Sequence, residues 1–354
     1  MTNSSTKLHF LEVDRSPKVH EKDKINIDFA GGIDTRWQTV EGTKNHTFLI
    51  YSAYYDIRDS ENPIVRVIGV TRTNKTEKMR CRLYFDDREI ELIPFDNRIK
   101  NSTRQTNRQS FHDVSADISI IWGHHYKTYS ACFVLCPVPF QNSKGRLIPV
   151  SVSILPFSDF ENVEVTNRLR VINSKNGGTG TYQVNKTDIG VCVKPIRACY
   201  NRTLEIIEFI EFNKILGVSK FTVYNQSMSE EVSCVLNYYM NQEHSVYVLP
   251  WDLMNADSKL HIHDTGGLAA RNDCVYRNMN EFHYLMMVDL DEFIIPHVNT
   301  SLQDMLKFLN SKYFGVRNVQ KSTHQKLISS YNFKNGFFYL QFGKNLISIQ
   351  RFQI

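Results

Sequence analysis

An apolar run from Tyr284 to Val288 ends in Asp289-Leu290-Asp291-Glu292, three acids within four positions. The run has the length of a fully buried parallel strand, and side chains two apart leave a strand on the same side, so Asp289 and Asp291 share a direction. A carboxylate at the end of a core strand is costly to desolvate unless a cation meets it. A divalent metal carrying a phosphorylated ligand suits that need, because hard cations take carboxylate oxygens and leave positions for phosphate. The plainer alternative is a strand-to-loop junction whose acids face water, since an Asp-x-Asp triplet arises about once by chance in a chain of this length.

The elements that would position these acids alternate. Ile189 to Val193 reads as a strand, and Thr203 to Leu216 as an amphipathic helix with Leu204, Ile207, Ile210 and Ile215 on one stripe, stopped by Gly217 as a left-handed cap. Phe221 to Tyr224 is a second strand. Ser229 caps a helix carrying Val232, Val235, Leu236 and Tyr239, and Val246 to Leu249 is a third strand. Leu268 to Met279 is helical and leads into the strand before Asp289, and Thr300 with Gln303 forms a capping box opening a last helix through Leu309. Such alternation predicts the α/β class, a doubly wound, mostly parallel sheet. Ligands of such sheets bind at the carboxyl ends of the strands, where Lys194-Pro195, Asn225 and Asp289-Leu290-Asp291 all fall.

No Gly-x-Gly-x-x-Gly follows the first of these strands and no Gly-x-x-x-x-Gly-Lys-Ser/Thr occurs, which removes the main support for dinucleotide oxidoreductase and P-loop chemistry. A nucleotide held through a metal on its diphosphate remains, the metal stabilising the charge that builds on a departing nucleoside diphosphate. Gly266-Gly267 before a helix lets backbone amides approach an anion, and Arg271, one turn in, can pair with a diphosphate. His261, His263 and Asp264 resemble a metal cluster, but a zinc hydrolase needs further histidines and the other ten are scattered.

Upstream, residues 1–46 are polar without sustained period and read as extended or disordered. Residues 47–172 carry short β-branched or aromatic runs, Phe48 to Tyr55, Ile64 to Val70, Cys81 to Phe85, Tyr129 to Cys136 and Val150 to Leu155, and predict a smaller β-rich domain. The glycine-rich stretch from Asn173 to Asp188 is a loop, and the second domain spans 188–354. The net charge of +5 arises in residues 1–187, with 26 Lys and Arg against 21 Asp and Glu; residues 188–354 hold 16 of each, which argues against nucleic acid as the ligand there. The basic stretch from Arg98 to Arg108 has no interleaved aromatics and reads as a solvated loop. Eight Asn-x-Ser/Thr triplets, about twice the chance number, lean toward a secretory lumen, and seven cysteines allow disulfides with a spare thiol or buried free thiols. Cys132 and Cys136 fall on one face of a strand, so each would need a partner elsewhere. No run of 18 apolar residues and no signal-peptide core occurs.

Taken together, five segments resemble glycosyltransferase family 92, a group of GT-A-type sugar transferases: Val191 to Pro195, Glu208 to Val218, Phe221 to Asn225, Ala270 to Arg277 and Val288 to Ile294. The likeness extends upstream through Tyr51 to Arg58 and Cys132 to Pro137, and covers roughly residues 47–330. It implies a GT-A-like sheet and inverting transfer of a sugar, with galactose from UDP-galactose the expected donor, onto a glycan acceptor with manganese or another divalent cation. Asp289, Asp291 and Glu292 would be the catalytic carboxylates; Asp291 is the first choice of metal ligand, and Asp289 shares the metal or touches the ribose. Lys194, Pro195, Arg197, Tyr224 and Asn225 would lie near the nucleotide, and Arg271 and Asn272 would face the diphosphate or the sugar. Inversion needs one carboxylate to take the acceptor's proton during in-line attack. The resemblance also implies a Golgi or secretory-pathway location with a membrane anchor, and further acceptor-side structure after a hairpin turning at Asn335-Gly336. A lumenal glycan-binding or scaffold protein of the same fold without catalysis is the alternative.

Overall fold

The computed structural model describes residues 36–351 apart from 44–45, 75–76, 86–110, 140–147, 158–164, 173–188, 258–259, 283, 297–298, 314–336 and 343–344. The expected N-terminal segment as far as residue 35, the basic stretch 98–108, the glycine-rich loop 173–188 and the Asn335-Gly336 turn lie outside the described residues. Residues Ile33–Ile354 form one compact unit.

Its first part is built from β1 (Gln38–Thr39), β2 (Leu49–Asp56), β3 (Ile64–Arg72), β4 (Met79–Tyr84), β5 (Phe111–Ile120), β6 (Tyr129–Pro137), β7 (Ser151–Pro156) and β8 (Leu169–Ile172). These pair in the order β1-β2-β3-β6-β5-β4-β7-β8, and β8 returns to pair in parallel with β2 at Ala53 and Tyr54, so seven strands close into a mixed barrel. Closure leaves no free edge among those seven. Ile50, Ala53, Val65, Val67, Cys81, Leu83, Val134 and Ile154 fill one apolar core, with Cys81 on β4 and Cys136 on β6 joined by a disulfide. Leu49, Tyr51, Ile68, Val70 and Ala131 belong to a second core. A register shift between Ile50 and Ser52 lets Tyr51 and Ser52 both serve this second side, the re-aiming that a bulge performs.

The second part continues with β9 (Ile189–Val193), α1 (Thr203–Ile215), β10 (Val218–Asn225), α2 (Glu230–Asn241), β11 (Val246–Pro250), α3 (Leu253–Ala256), α4 (Gly267–Asn278), β12 (Tyr284–Val288), α5 (Leu302–Tyr313), β13 (Phe337–Phe342) and β14 (Asn345–Arg351). Its sheet runs β11-β10-β9-β12-β14-β13; the first four strands are parallel and the β13–β14 hairpin is antiparallel. The second core joins the barrel to this sheet. Rings of Trp37, Tyr51, Tyr224 and Trp251 meet there, with centroids 4.7 Å apart for Tyr51–Trp251 and 5.1 Å for Tyr224–Trp251.

The expected fold class is corrected. The structure is not a doubly wound parallel GT-A sheet behind a smaller domain; its dominant assembly is the closed seven-strand mixed β-barrel, and helices are few. Strands buried on both sides read as continuous apolar runs in a barrel as well as in a parallel sheet. Closure itself depends on β5 and β8, whose mixed sequences give no such run.

Local readings are corrected too. The buried residues of α1 are Ile206, Phe209, Ile210 and Asn213, while Leu204 and Ile215 are exposed, because apolar residues surround this helix and no single stripe is marked. Gly217 does follow the helix in the left-handed region, φ +99°, where Gln303 leaves no room for a Cβ. Gln303 donates to the Gly217 carbonyl at 2.6 Å, so α5 is capped instead by Ser301, whose Oγ accepts the Asp304 amide at 3.1 Å.

Candidate active site

The register of two parallel strands builds the site. β9 and β12 are neighbours with Val193 opposite Val288, so the chain leaves both strands at the same level with Lys194 beside Asp289. Their side chains form an ion pair, Lys194 Nζ to Asp289 Oδ2, 2.6 Å. Asp289 opens a turn closed by the Glu292 amide donating to its carbonyl at 3.0 Å, and Glu292 Oε2 accepts the Asp289 amide at 3.1 Å. Lys194, Asp289, Glu292 and Arg271 line one cleft with Gly267 and Ala270, and Cys192 and Met287 form part of its wall.

α4 supplies the opposite wall. Gly266 at its cap has φ +81°, and a Cβ there would sit 2.5 Å from Leu253, so glycine is required. No side chain caps the start of this helix, and the Gly267 amide donates to the Asp264 carbonyl of the turn that precedes it. Two devices fix the helix. A disulfide ties Cys274 to Cys192 on β9. Behind it, the fully buried Asp273 carboxylate accepts from Ser52 Oγ at 2.5 Å, Tyr54 OH at 2.5 Å and Tyr224 OH at 2.7 Å, and pairs with Arg277 Nε at 3.1 Å. Burial, together with the Asp273 charge, holds the Tyr51 and Tyr224 hydroxyls far above their ordinary range. These side chains are structural donors, not acids at work.

Lys194, Arg271, Asp289 and Glu292 are thus brought together; the other candidates are not all with them. Tyr224 faces the shared core and Asp273, away from the cleft. Pro195 is buried, and Asn225 ends β10 with its carbonyl accepting from Trp251. Asn272 spends its amide on the Leu268 carbonyl at 2.8 Å. Arg197 pairs with Asp264 at 3.3 Å at the approach to α4. Asp291 is not among the residues lining the cleft; burial first, then Glu205, and last the Asp291 charge hold the Tyr200 hydroxyl up to about 12 against Arg202. The Asp273 group escaped the sequence reading, for which the i, i+4 spacing of Asp273 and Arg277 was the available signal, and Asp264, read there beside His261 and His263, instead pairs with Arg197.

Among the described residues no three His, Cys, Asp or Glu gather as a metal site. Asp289 and Asp291 carry the hard oxygen donors that a divalent cation takes, and of the two only Asp289 lines the cleft. Lys194, 41% exposed on a flexible stem, balances Asp289.

Residues 187–348 match the family model for glycosyltransferase family 92. A Caenorhabditis elegans protein named beta-1,4-galactosyltransferase galt-1 is 25% identical over 194 residues, 52% of this chain and 43% of its own length. A second Caenorhabditis elegans relative, named glycosyltransferase family 92 protein F13G3.3, is 26% identical over 155 residues, 42% of this chain and 30% of its own length. The chain spans less than half the length of either curated relative. By that match and those two relatives, residues 187–348 of this chain are similar to glycosyltransferase family 92.

Proposed function

We propose that this chain is a glycosyltransferase that moves galactose from UDP-galactose onto a glycan acceptor with inversion, in the secretory pathway, with manganese or another divalent cation held by Asp289 and Asp291. The observation that carries the reading is the convergence of Lys194, Arg271, Asp289 and Glu292 on one cleft within the family region. A diphosphate needs cations, and Arg271 and Lys194 in the cleft supply them. The acceptor hydroxyl attacks the anomeric carbon as its bond to the diphosphate breaks, and the hydroxyl proton passes to a carboxylate. Glu292 is the cleft carboxylate not paired with Lys194 and suits that task. The bound cation would neutralise charge on the departing nucleotide.

Titration calorimetry of UDP with and without manganese, followed by turnover on fucosylated or galactosylated glycans, tests the reading. Asp291→Ala lowers turnover about a hundredfold or more if the metal contributes several kcal/mol. Full activity in that variant removes the acid pair from the mechanism, and absence of metal-dependent UDP binding in the parent protein indicates the non-catalytic scaffold instead.

A further inference from the structure

The barrel carries an aromatic loop at the edge of the cleft. Between β5 and β6, residues 121–128 present Trp122 at 92% and Tyr126 at 99% exposure, the two most exposed large hydrophobic side chains among the described residues. Scattered exposed apolar residues are ordinary, but two aromatic rings on one well-tied loop ask for a ligand. The loop is held at both ends: Ile121 N donates to the Ala131 carbonyl, Lys127 N to His124, and Tyr129 N to His261. Gly123, φ +103°, lies against Leu268 on the first turn of α4, whose neighbours Gly267, Ala270 and Arg271 line the cleft. The His125 ring stacks on His263 at 3.9 Å. Burial first, then His125, Lys127 and the cleft's Lys194 hold the His263 imidazole below its ordinary range against the opposing pull of Asp264, so the loop and the cleft share one electrostatic neighbourhood.

Backbone strain marks the same place. His125 and Tyr126 are consecutive left-handed residues without a glycine, φ 49° and 57°. Ala198-Cys199 and Asp264-Thr265 repeat that arrangement, one beside Arg197 and the other immediately before α4. Of the seven such residues among those described, only His244 lies outside these three pairs. Disfavoured backbone of this kind gathers where a ligand must be met by a fixed surface.

We propose that Trp122 and Tyr126 form the platform for the acceptor glycan, a pyranose stacking the C–H face of its ring on these side chains while the neighbouring sugar enters the cleft. The assignment rests on the transferase reading above. The surroundings favour a sugar over a peptide or a lipid. A pyranose has one apolar face and a rim of hydroxyls, and it needs flat rings set among hydrogen-bonding groups. Here the Tyr126 ring stands edge-on to His124, and the same loop holds Lys127 Nζ 3.2 Å from His261 Nε2 and Thr128 Oγ1 3.2 Å from His261 Nδ1.

The test is titration of the full chain with fucosylated and galactosylated oligosaccharides, followed by tryptophan fluorescence and calorimetry, beside Trp122→Ala, Tyr126→Ala and the double variant. Both side chains are exposed, so the variants keep the parent melting temperature. The expected result is an acceptor affinity and an acceptor KM weakened about tenfold by each substitution and more by both, with UDP affinity unchanged. Glycan affinity untouched in the double variant overturns the proposal. So does a double variant that alters only self-association in light scattering, and so does absence of glycan binding by the parent protein. Glycan binding that depends on Trp122 in a protein that never binds UDP keeps the platform and removes the transfer.

Discussion

At the scale of single residues, the chain separates charges that do chemistry from charges that hold the fold. Asp273 is of the second kind: three hydroxyls and Arg277 surround it at zero exposure. Removing one partner of a buried pair strands the other in a poorly solvated place, so Asp273→Ala lowers stability by about 3–5 kcal/mol in urea unfolding, whereas Asp289→Ala, at the open cleft, changes it little. Asp56 gives an acid-side prediction. Burial raises its pKa, but the hydrogen bonds and charges of Arg58 and Arg66 win and bring it from 3.8 down to about 2. A carboxylate lowered in the folded state stabilises it fully above its unfolded pKa and loses that contribution as pH falls through the folded value. The unfolding free energy from urea titration therefore drops between about pH 4 and pH 2, by on the order of 1–2 kcal/mol, and Asp56→Asn removes this part of the decline. Sequence marked Asp289, Lys194 and Arg271 because strand ends and paired glycines leave patterns. It missed Asp273 because nothing in a sequence reveals that Ser52, Tyr54 and Tyr224, from distant strands, point at one atom pair.

At the scale of elements, the second part was largely readable: β9, β10, β11, β12, α2 and α4 fall where apolar period and caps put them. Pairings between elements were not. Disulfide partners follow from tertiary approach, and the structure forms Cys81–Cys136 and Cys192–Cys274 while Cys132, Cys199 and Cys234 stay free. Burial pushes the Cys132 thiol well up, so it is inert. The Cys192–Cys274 bridge spans 82 residues and joins a cleft-lining strand to the helix that carries Arg271. Replacing both by serine costs roughly 4 kcal/mol in the chain-entropy account, and weakens UDP binding by loosening that wall. A melting curve with and without reductant, paired with UDP titration, checks both effects; unchanged UDP affinity in the double serine variant would show that the wall stands without its bridge.

At the scale of the whole molecule, barrel and sheet share one core, so the family region is not an autonomous body. Separated from residues 36–172, the second part would expose Tyr224, Trp251 and Leu253 and leave Asp273 without Ser52 and Tyr54. A fragment of residues 187–354 is therefore expected to aggregate or to unfold without a cooperative transition, while the full chain gives one; circular dichroism and light scattering distinguish them. Among the described residues no helix is long and apolar enough to cross a membrane.

The juxtaposition of Lys194 and Asp289 spans 95 positions of chain and exists only because β9 finds β12 in one register. During synthesis the lysine emerges long before the aspartate, with four helices, α1 to α4, and three strands, β10 to β12, still to be made between them. A nascent chain that ends before β12 therefore lacks this ion pair, and that end of the cleft is built only when the fourth parallel strand takes its place beside β9.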